Sequence, residues 1–337
     1  MRAVVLVGGF GTRLRPLTST IPKPMLPVGH VPIIERLVAN LGRSGITEVT
    51  LALGFKPEPF VQAFPDGECA GVTLHYAVEP EPLDTAGAIR FAADAAGIDD
   101  TFVVANGDIL TDLDVSQLVQ FHRDHGAEAT IHLTGVPDPS AFGVVAIDEQ
   151  GRVERFVEKP APGTAPSNLI NAGTYVLEPS VLQRIPPGQK VSIERATFPA
   201  VAAAGGLFAM ATDDYWLDAG RPELYLQANL DLLGSARRHD RCVPLHESAI
   251  IDVAAVIEHS VVGARARVGA ATLRGSMLLP GAVVESGAVV TDSVVMGRVG
   301  AGAVVHNSVV GADGVVAPGE HMSGERRPDP DSDPTGT

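Results

Sequence analysis

Five glycines recur every six residues in the last third of the chain, and this spacing restricts the possible folds more than any other feature. They are Gly263, Gly269, Gly275, Gly281 and Gly287, and the residues around them are small or β-branched, with no helical period. A period of six is typical of a parallel β-helix, in which each short strand buries one apolar side chain and small residues permit the turns. A glycine-rich β-sandwich would not require glycines in phase. We therefore predict a left-handed parallel β-helix of hexapeptide repeats over residues 243–322.

A second repeat supports the β-helix but is less regular. Ser260 and Ser308 each begin the sequence SVVG, and Ser293 begins SVVM. These serines are 33 and then 15 residues apart, and each separation misses a multiple of six by three. We therefore expect irregular turns between them. Residues 323–337 are polar and proline-rich, which predicts a disordered tail.

The first 240 residues have a different pattern, in which short β-branched runs alternate with segments of helical period. This order is typical of an α/β domain with a largely parallel sheet. The predicted strands are AVVLV, EVTLAL, VTLHYAV and TFVVAN, and the predicted helices lie at 33–44, after Thr85, at 115–123 and at 223–233. The segments ATIHLTGV, GVVAID and RVERFVE look like antiparallel hairpin strands. We therefore predict an α/β domain over residues 1–240 with a Rossmann-like, mixed and mostly parallel sheet.

The composition argues against several classes of function. The net charge is −15, whereas a protein that binds nucleic acid needs a broad basic surface. We expect neither a leader nor a membrane-spanning segment, because the first apolar run is short and ends in glycines. Cys69 and Cys242 fit neither a disulfide framework nor a metal-ligand spacing. We therefore expect a cytoplasmic protein without nucleic-acid or membrane partners, in which a phosphate ligand meets locally concentrated cations.

The segment LVGGFGTRLRPLTSTIPKPMLP, residues 6–27, places a glycine-rich loop directly after the first predicted strand. Such a loop brings backbone N–H groups close to a phosphate, but alone it is a weak signal. A P-loop would require Gly-Lys-Ser/Thr, whereas Gly11 is followed by Thr-Arg; a dinucleotide-binding fingerprint would require a small residue in place of Leu14. A tight turn with solvated arginines would not explain Lys23 between two prolines. The loop therefore favours a triphosphate site, in which Arg13 and Lys23 neutralise the charge on a leaving pyrophosphate.

This segment resembles the first signature of the sugar-1-phosphate nucleotidyltransferases, the nucleotide-sugar pyrophosphorylases. The pattern Gly-x-Gly-Thr-Arg-Leu-x-Pro-Leu-Thr followed by Pro-Lys-Pro is matched from Gly9 to Pro24. The resemblance continues in four further motifs: NGD at 106–108, FVEKP at 156–160, INAG at 170–173 and YWLDAGRPE at 215–223. Hexapeptide repeats also occur in several branches of this family. The resemblance therefore extends over nearly the whole chain.

The resemblance implies a reaction in which the phosphate of a sugar 1-phosphate attacks the α-phosphorus of a nucleoside triphosphate, and pyrophosphate leaves. Two anions must be brought together, which requires a divalent cation, and Mg²⁺ prefers carboxylates with substrate oxygens and water. Asp108 follows an apolar strand and Asp218 follows YWL, so each is expected at a strand end. By resemblance, these two are the metal ligands, and Arg13 and Lys23 are the catalytic cations. The implied nucleotide-binding residues are Leu6, Gly8, Gly9, Gly11, Thr12, Glu79, Thr85, Ala86, Gly87, Asn106 and Gly107.

A second set of residues is implied for the sugar 1-phosphate. Lys159 in FVEKP would bind its phosphate, and Glu158 would accept hydrogen bonds from sugar hydroxyls. Gly143, Asn171 and Gly173 resemble positions that complete the sugar pocket. No nucleophilic side chain is needed, because the attacking oxygen belongs to the substrate, and catalysis is then mainly positioning and electrostatic stabilisation.

Glu79 bears on the choice of base. Relatives that use thymidine or uridine nucleotides often have Gln at this position. A carboxylate accepts from the N1–H and the exocyclic amine of guanine, but it would repel the carbonyl groups of uracil or thymine. Guanine is therefore favoured, although Glu79 as an exposed turn residue stays an alternative. The motifs are most similar to those of mannose-1-phosphate guanylyltransferases, with one departure: Asp84 replaces the usual Gly, which leaves glucose 1-phosphate or a cyclitol phosphate open.

Three other interpretations of these residues are disfavoured. A non-catalytic regulatory subunit would be expected to lose a cation or a metal carboxylate, and none is lost here. An acyltransferase β-helix is disfavoured, because His259, His306 and His321 lack an evident acyl-transfer partner. The sequence HRDH at 122–125 is better explained as a solvated helix end than as a kinase loop, and Trp216 is better explained as a core residue.

Because β-helices have an apolar flank and open ends, we expect a homodimer or higher homo-oligomer through the β-helix.

Overall fold

The computed structural model describes residues 1–9, 11–54, 57–234, 236–238 and 240–330. The chain divides into two compact units. The first contains Met1–Gly9 and Ile34–Trp216, and the second contains Phe10–Ile33 and Leu217–Thr337. This division differs from the predicted boundary near residue 240, because the glycine-rich loop groups with the C-terminal part of the chain. Within the described residues, no helix is both long enough and apolar enough to cross a membrane.

The helices and the strands before residue 219 alternate as the sequence pattern predicts. The strands are β1 (Arg2–Leu6), β2 (Pro27–Val28), β3 (Val31–Pro32), β4 (Glu48–Leu53), β5 (Glu68–Cys69), β6 (Val72–Val78), β7 (Phe102–Asn106), β8 (Ile109–Thr111), β9 (Ala129–Gly135), β10 (Gly143–Ile147), β11 (Val153–Glu158), β12 (Leu169–Leu177), β13 (Leu207–Thr212) and β14 (Trp216–Asp218). The helices are α1 (Ile33–Arg43), α2 (Glu58–Ala63), α3 (Asp84–Ala95), α4 (Val115–Asp124), α5 (Pro179–Gln183), α6 (Phe198–Ala203) and α7 (Pro222–Asp231). The four predicted helices are confirmed as α1, α3, α4 and α7.

The first unit is built on a mixed sheet with the strand order β11-β10-β12-β7-β1-β4-β6-β5. Its centre, β7-β1-β4-β6, is parallel, and the apolar runs of these strands are buried. Helix α3 packs against β1, β4 and β6, which explains the small buried residues Ala86, Ala88 and Ala92 on that helix. Antiparallel pairs follow on one side, with β10 beside β11 and β12 beside β7 and β9. The predicted mixed α/β sheet is confirmed.

The HRDH segment lies at the end of α4, but the prediction that it is solvated is wrong for His122. This side chain is buried between Thr130 Oγ1 at 2.9 Å and Glu178 Oε1 at 3.1 Å. Burial lowers its pKa, and the Glu178 carboxylate opposes that effect. His122 is therefore a packing residue that joins the helix to the sheet, which also agrees with the rejection of a kinase loop.

The second unit contains a β-helix with three parallel sheets of five strands each. The strands are β15 (Ile250–Ile251), β16 (Val256–Glu258), β17 (Val261–Val262), β18 (Arg267–Val268), β19 (Thr272–Arg274), β20 (Met277–Leu278), β21 (Val283–Val284), β22 (Val289–Thr291), β23 (Val294–Val295), β24 (Arg298–Val299), β25 (Val304–His306), β26 (Val309–Val310), β27 (Val315–Val316), β28 (His321–Ser323) and β29 (Arg326–Arg327). The five glycines in phase each lie between successive strands, as predicted. One apolar residue of most strands, such as Val284 and Val290, points into a continuous core.

A column of buried serines explains the irregular repeat. Ser260, Ser276, Ser293 and Ser308 stack, and the hydroxyl of each accepts a hydrogen bond from the backbone N–H one coil further on, the last being that of Glu325. Successive coils therefore contain 16, 17, 15 and 17 residues. The separations of 33 and 15 residues correspond to two coils and one coil. Each of these coils is shorter than three hexapeptides, because some of the turns between strands contain fewer residues than the period of six predicts.

The predicted disordered tail begins too early. Residues His321–Ser323 and Arg326–Arg327 form the last strands of two of the sheets. The backbone N–H of Val309 donates to the Glu325 carbonyl at 2.9 Å, and that of Gly311 donates to the Arg327 carbonyl at 2.7 Å. Polar, proline-rich composition did not prevent pairing, because a β-helix coil needs only one inward residue per strand. Residues 331–337 of the predicted tail lie outside the described part.

Candidate functional site

The glycine-rich loop of the second unit forms three short 3₁₀ turns, Thr12–Leu14, Leu17–Ser19 and Lys23–Met25. Gly11 has φ of +60°, and a Cβ at this position would lie 3.1 Å from Thr18 Cγ2 and 3.2 Å from Lys23 Cβ. The Thr18 hydroxyl donates to the Gly11 carbonyl at 2.8 Å. Glycine is therefore required where the two arms of the loop meet, because any side chain would separate Thr18 from Lys23.

Within this unit the loop brings two predicted catalytic cations to one predicted metal ligand. Lys23 Nζ is buried and lies 2.7 Å from Asp218 Oδ1, and Arg13 Nη2 is 3.9 Å from Asp218 Oδ2. The Arg13 side chain is 64% exposed, whereas that of Asp218 is 24% exposed. A Cβ on Gly220 would lie 2.9 Å from Asp218 Oδ1 and 3.1 Å from Arg13 Nη2, so Gly220 leaves room for both groups. Charge is thus concentrated locally in a protein of strongly negative net charge.

Helix α7 holds the far end of the loop. The hydroxyl of the buried Tyr225 donates to the Pro27 carbonyl. The backbone N–H of Gly29 donates to Asn229 Oδ1 at 2.7 Å, and Asn229 is fully buried. Because α7 begins within the YWLDAGRPE motif, at Pro222, these two bonds fix the Lys23 segment in relation to Asp218.

In the first unit, the carboxyl ends of parallel strands gather the predicted nucleotide-binding residues at one edge of the sheet. Leu6 pairs with Ala52 and Asn106, and Leu53 pairs with Val78. The residues that follow these strands, including Gly8, Gly9, Glu79, Gly107 and Asp108, therefore share one edge. In open α/β sheets, ligands bind at this edge. The prediction that Asp108 lies at a strand end is confirmed, because β7 ends at Asn106.

Two glycines, one in the NGD motif and one in the INAG motif, let neighbouring parts of the sheet approach closely. A Cβ on Gly107 would overlap Val7 Cγ1 and lie 2.9 Å from the Leu6 carbonyl oxygen. Gly173 has φ of +77°, and a Cβ there would lie 2.6 Å from Asn106 Nδ2. Both positions therefore require glycine for close approach of β1, β7 and β12, and the Asn106 side chain covers the turn at Gly173.

Two predicted sugar-binding residues are already engaged within the protein. Asn171 Oδ1 accepts from the Gly173 backbone N–H at 2.9 Å, and Asn171 Nδ2 donates to the Tyr175 hydroxyl at 2.9 Å. Burial raises the pKa of Tyr175, so its hydroxyl stays protonated. Asn171 therefore shapes the β12 bulge, and a sugar hydroxyl could reach only its second amide hydrogen or its remaining lone pairs.

The FVEKP motif faces Gly143 across the β10–β11 pair. Gly143 is directly opposite Glu158, and a Cβ on Gly143 would lie 2.9 Å from Glu158 Oε2. Lys159 has φ of +49°, a conformation that strains a residue with a side chain, and its Nζ is 3.7 Å from Glu158 Oε1. The Lys159 side chain is 62% exposed. The motif thus presents one accessible cation beside one carboxylate, and such strain is common at ligand sites.

Glu79 is buried, which contradicts the alternative of an exposed turn residue. Its Oε2 accepts the Leu83 backbone N–H at 2.9 Å, and a Cβ on Gly8 would lie 3.9 Å from its Oε1. Burial raises the pKa of the Glu79 carboxyl, and the Leu83 N–H opposes the rise. One carboxylate oxygen is therefore held by the protein, and the other faces the glycine-rich strand end.

The predicted nucleotide-binding residues 85–87 contact the segment 189–194. The Thr85 hydroxyl donates to Glu194 Oε2 at 2.8 Å, and both backbone N–H groups of Ala86 and Gly87 donate to the Val191 carbonyl. A Cβ on Gly87 would lie 2.5 Å from the Gln189 carbonyl oxygen. These groups therefore hold the start of α3 in place, and their contact with a nucleotide stays a prediction. Asp84 has φ of +60°, which is a physical reason why Gly is the usual residue there.

Sequence reasoning missed Trp216. The sequence predicts a core residue at this position, but the structure leaves Trp216 partly exposed. Its Nε1–H donates to the Ala172 carbonyl at 2.8 Å, and its ring packs edge-on against Phe142, with the ring centroids 5.8 Å apart. It therefore lies between INAG and the residue before Gly143. The signal was its position next to the LDAG sequence, because a partly exposed tryptophan beside sugar-pocket positions is a candidate platform for a sugar ring.

The residues present suit a hard divalent cation held largely by substrate. Among the described residues, no group of three or more His, Cys, Asp or Glu side chains is placed to hold a metal ion. Asp108 belongs to the first unit and Asp218 to the second. Carboxylate oxygens without nitrogen or sulfur ligands match Mg²⁺, which is usually bound through one or two carboxylates with phosphate oxygens and water.

Comparisons with known proteins agree with this geometry. The family profile described as Nucleotidyl transferase matches residues 2–235, and the profile described as GlmU-like, C-terminal hexapeptide matches residues 247–333. A probable mannose-1-phosphate guanylyltransferase 1 from Oryza sativa subsp. japonica is 42% identical over 272 residues, which cover 76% of this chain and 74% of that protein. A mannose-1-phosphate guanylyltransferase from Mycobacterium tuberculosis is 41% identical over 265 residues, covering 76% and 72%.

A solved structure is also similar. The HddC protein from Yersinia pseudotuberculosis, complexed with GMP-PN, has a TM-score of 0.58 and 31% identity, and the match covers 68% of this chain and 97% of that chain. Sugar-phosphate nucleotidyltransferases are thus the class that the fold and the motifs define. The chain belongs to the Nucleotidyl transferase family, and its C-terminal region is a hexapeptide-repeat β-helix. Members of this family typically use a divalent metal.

Proposed function

We propose that this protein joins GTP and mannose 1-phosphate to give GDP-mannose and pyrophosphate. The observation that carries the proposal is that Arg13 and Lys23 of the signature loop meet Asp218 of the YWLDAGRPE motif. The choice of substrates is supported by relatives at 42% and 41% identity that are named mannose-1-phosphate guanylyltransferases. The similar structure complexed with GMP-PN also supports a guanine nucleotide.

The reaction moves charge rather than protons, so the residues act by position. A phosphate oxygen of the sugar 1-phosphate forms a bond to the α-phosphorus, and the bond to the bridging oxygen of pyrophosphate breaks. Arg13 and Lys23 neutralise the charge that develops on the leaving pyrophosphate. Lys159 holds the phosphate of the sugar 1-phosphate, and Glu158 accepts hydrogen bonds from its hydroxyls. Bound Mg²⁺, with Asp108 and Asp218 as ligands, would draw electron density from the α-phosphate and so favour attack.

Burial of Glu79 supports guanine as the base. Its second carboxylate oxygen is the acceptor for a guanine N1–H or exocyclic amine, because the first is occupied by Leu83. Uracil and thymine would place a carbonyl oxygen where guanine places a donor, and a buried carboxylate has no water to separate the two acceptors. Adenine lacks the N1–H. The site thus discriminates by repulsion as well as by attraction.

The proposal predicts selective pyrophosphate release. With Mg²⁺, GTP and mannose 1-phosphate should give the highest kcat/KM among GTP, ATP, UTP, dTTP and CTP combined with mannose 1-phosphate or glucose 1-phosphate. Glu79→Gln should lower the kcat/KM ratio of GTP to UTP by about 10-fold or more, because an amide donates to the uracil carbonyl. The matched control is Glu81→Gln, since Glu81 is exposed in the same segment, and it should leave the ratio unchanged.

Other outcomes of this assay would separate the open alternatives. Release with glucose 1-phosphate or a cyclitol phosphate would keep the reaction but overturn the sugar. An unchanged nucleotide ratio in Glu79→Gln would overturn the role of Glu79. Absence of release with every pair would favour a regulatory subunit. We further propose a cytoplasmic location, because Cys69 and Cys242 are too few and too far apart in the sequence for a disulfide framework.

We also propose that the first coil of the β-helix is the homo-oligomer interface. Five of the nine large apolar side chains that are exposed in the described part lie between residues 243 and 256: Val243, Leu245, Ile250, Val253 and Val256. Two strands of this coil, β15 and β16, also pair with a neighbour on one side only. Open strand edges with exposed apolar residues are usually covered by another chain, and a second copy offers the same surface.

If this surface is the interface, a single negative charge placed on it should prevent the copies from associating. Val253→Glu should convert a dimer or higher oligomer to monomers in sedimentation-velocity experiments, because a carboxylate would be buried without a cationic partner. Val315→Glu is the control, since Val315 is exposed elsewhere on the β-helix, and its sedimentation should match the unmodified protein. A monomeric unmodified protein at micromolar concentration, or an unaffected Val253→Glu, would contradict the proposal.

A further inference from the structure

The last strand of the β-helix contacts the backbone of the signature loop within the second unit. Arg326 Nη1 donates to the carbonyl oxygens of Arg13 at 3.0 Å and Arg15 at 3.1 Å. These carbonyls lie at the end of the 3₁₀ turn Thr12–Leu14, where backbone acceptors have no partner within the turn. A guanidinium is suited to this end, because it donates two hydrogen bonds and complements the negative end of the turn dipole.

A second contact holds the same part of the loop. A Cβ on Gly311 would lie 2.7 Å from Pro16 Cβ and 3.2 Å from the Pro16 carbonyl oxygen. Pro16 therefore packs directly on the backbone of the β-helix, where no side chain larger than hydrogen fits. The loop from Arg13 to Pro16 is thus held by Arg326 on its carbonyl oxygens and by Gly311 on its proline ring.

Arg326 is itself held by a rigid support. Its strand pairs with β26, and the neighbouring Glu325 N–H donates to Ser308 Oγ at 3.2 Å at the end of the serine column. Arg327 Nη1 pairs with the Glu320 carboxylate on the preceding turn. The position of the Arg326 backbone is therefore set by the stacked coils and not by the loop that it contacts.

Arg13 depends on this support more than its neighbours do. The Arg13 side chain is 64% exposed, and its Nη2 comes no closer than 3.9 Å to an Asp218 carboxylate oxygen. Lys23, in contrast, is buried, and its Nζ lies 2.7 Å from Asp218 Oδ1. Little packing fixes the Arg13 side chain, so its direction follows from the orientation of its own peptide groups. We propose that Arg326 is a positioning residue, which fixes the backbone of Arg13 and Arg15 so that the Arg13 guanidinium meets the triphosphate. This inference rests on the proposed function, in which Arg13 contacts the nucleotide.

The proposal separates effects on turnover from effects on folding. Arg326→Ala should lower kcat about 10- to 100-fold, because small errors in the position of a catalytic cation are costly. KM for the sugar 1-phosphate should change less than about twofold, and Tm less than about 2 °C, because exposed polar contacts contribute little to stability. Arg326→Lys, which keeps the charge and three donors, should restore part of kcat. Arg274→Ala is the control, since Arg274 pairs with Glu258 on another coil.

A readout without substrate distinguishes failure of this proposal from failure of the proposed function. Hydrogen exchange of the unliganded protein should be faster over residues 12–17 in Arg326→Ala than in Arg274→Ala. Faster exchange together with lower kcat would support the proposal. Unchanged exchange, or kcat within threefold of the unmodified protein, would overturn it. If the unmodified protein shows no turnover with any substrate pair, the proposed function fails, and unchanged exchange would still overturn the contact between Arg326 and the loop.

Discussion

Replacement of Asp218 by Asn should lower kcat for pyrophosphate release by about 1,000-fold or more. The amide introduced in Asp218→Asn would be uncharged, so it would be a poor ligand for Mg²⁺ and would no longer balance Lys23 and Arg13. Asp218 Oδ1 lies 2.7 Å from Lys23 Nζ, and Lys23 is 5% exposed. Loss of this ion pair should also lower the free energy of unfolding, by about 1–3 kcal/mol. Steady-state kinetics and thermal denaturation by circular dichroism would measure both effects.

Two further variants show whether the lower kcat of Asp218→Asn comes from the loss of a metal ligand or from the loss of the ion pair with Lys23. Asp213→Asn is the matched control, because Asp213 is exposed in the same segment, and it should retain kcat and stability. Lys23→Met should also lower kcat, but it leaves the carboxylate free for a metal, so the Mg²⁺ concentration at half-maximal rate should rise only in Asp218→Asn. Retention of more than a tenth of kcat in Asp218→Asn would show that Asp218 is not a metal ligand.

The sequence predicted the elements that local pattern and glycine chemistry determine. The helices at 33–43 and 115–124, the parallel strands and the β-helix follow from periodicity, which tertiary contacts did not override. The motifs predict Gly11 and Gly107; Gly11 has a positive φ and close neighbours, and Gly107 lies where the structure has no space for a side chain. Motif residues of this kind are predictable because one backbone geometry requires one residue type.

Contacts between distant segments were not predictable in the same way. Nothing in the loop sequence indicates that residues 11–33 group with the β-helix, and nothing in a proline-rich tail indicates that Arg326 donates to Arg13 and Arg15. Such contacts depend on the lengths of coils, which the sequence period does not give. Trp216 was misassigned for a similar reason: its exposure is set by Ala172 and Phe142, which come from other strands. The roles of residues in binding stay predictions.

Replacement of Gly297 by Ala should destabilise the β-helix by about 3 kcal/mol or more, because there is no side chain nearby that could move aside. A Cβ on Gly297 would overlap the carbonyl oxygens of Gly311 and Gly314 on the next coil. Gly302→Ala is the matched control: Gly302 has φ of +67° but no atom within 4 Å of its Cβ. Gly302→Ala should lower the free energy of unfolding by about 1–2 kcal/mol, which is the cost of placing alanine in a left-handed backbone conformation. Urea denaturation followed by circular dichroism would compare the two.

The location of Gly297 makes this prediction informative about function as well. Its neighbour Gly311 packs on Pro16 of the signature loop, so a coil displaced by the added methyl group of Gly297→Ala would disturb the loop that carries Arg13. At a temperature where Gly297→Ala is still folded, kcat should therefore be lower than in Gly302→Ala. Equal stability of the two variants would contradict the close approach of the coils. Equal kcat, despite unequal stability, would show that the β-helix stabilises the protein without positioning its catalytic loop, so this pair of variants separates the two roles of one domain.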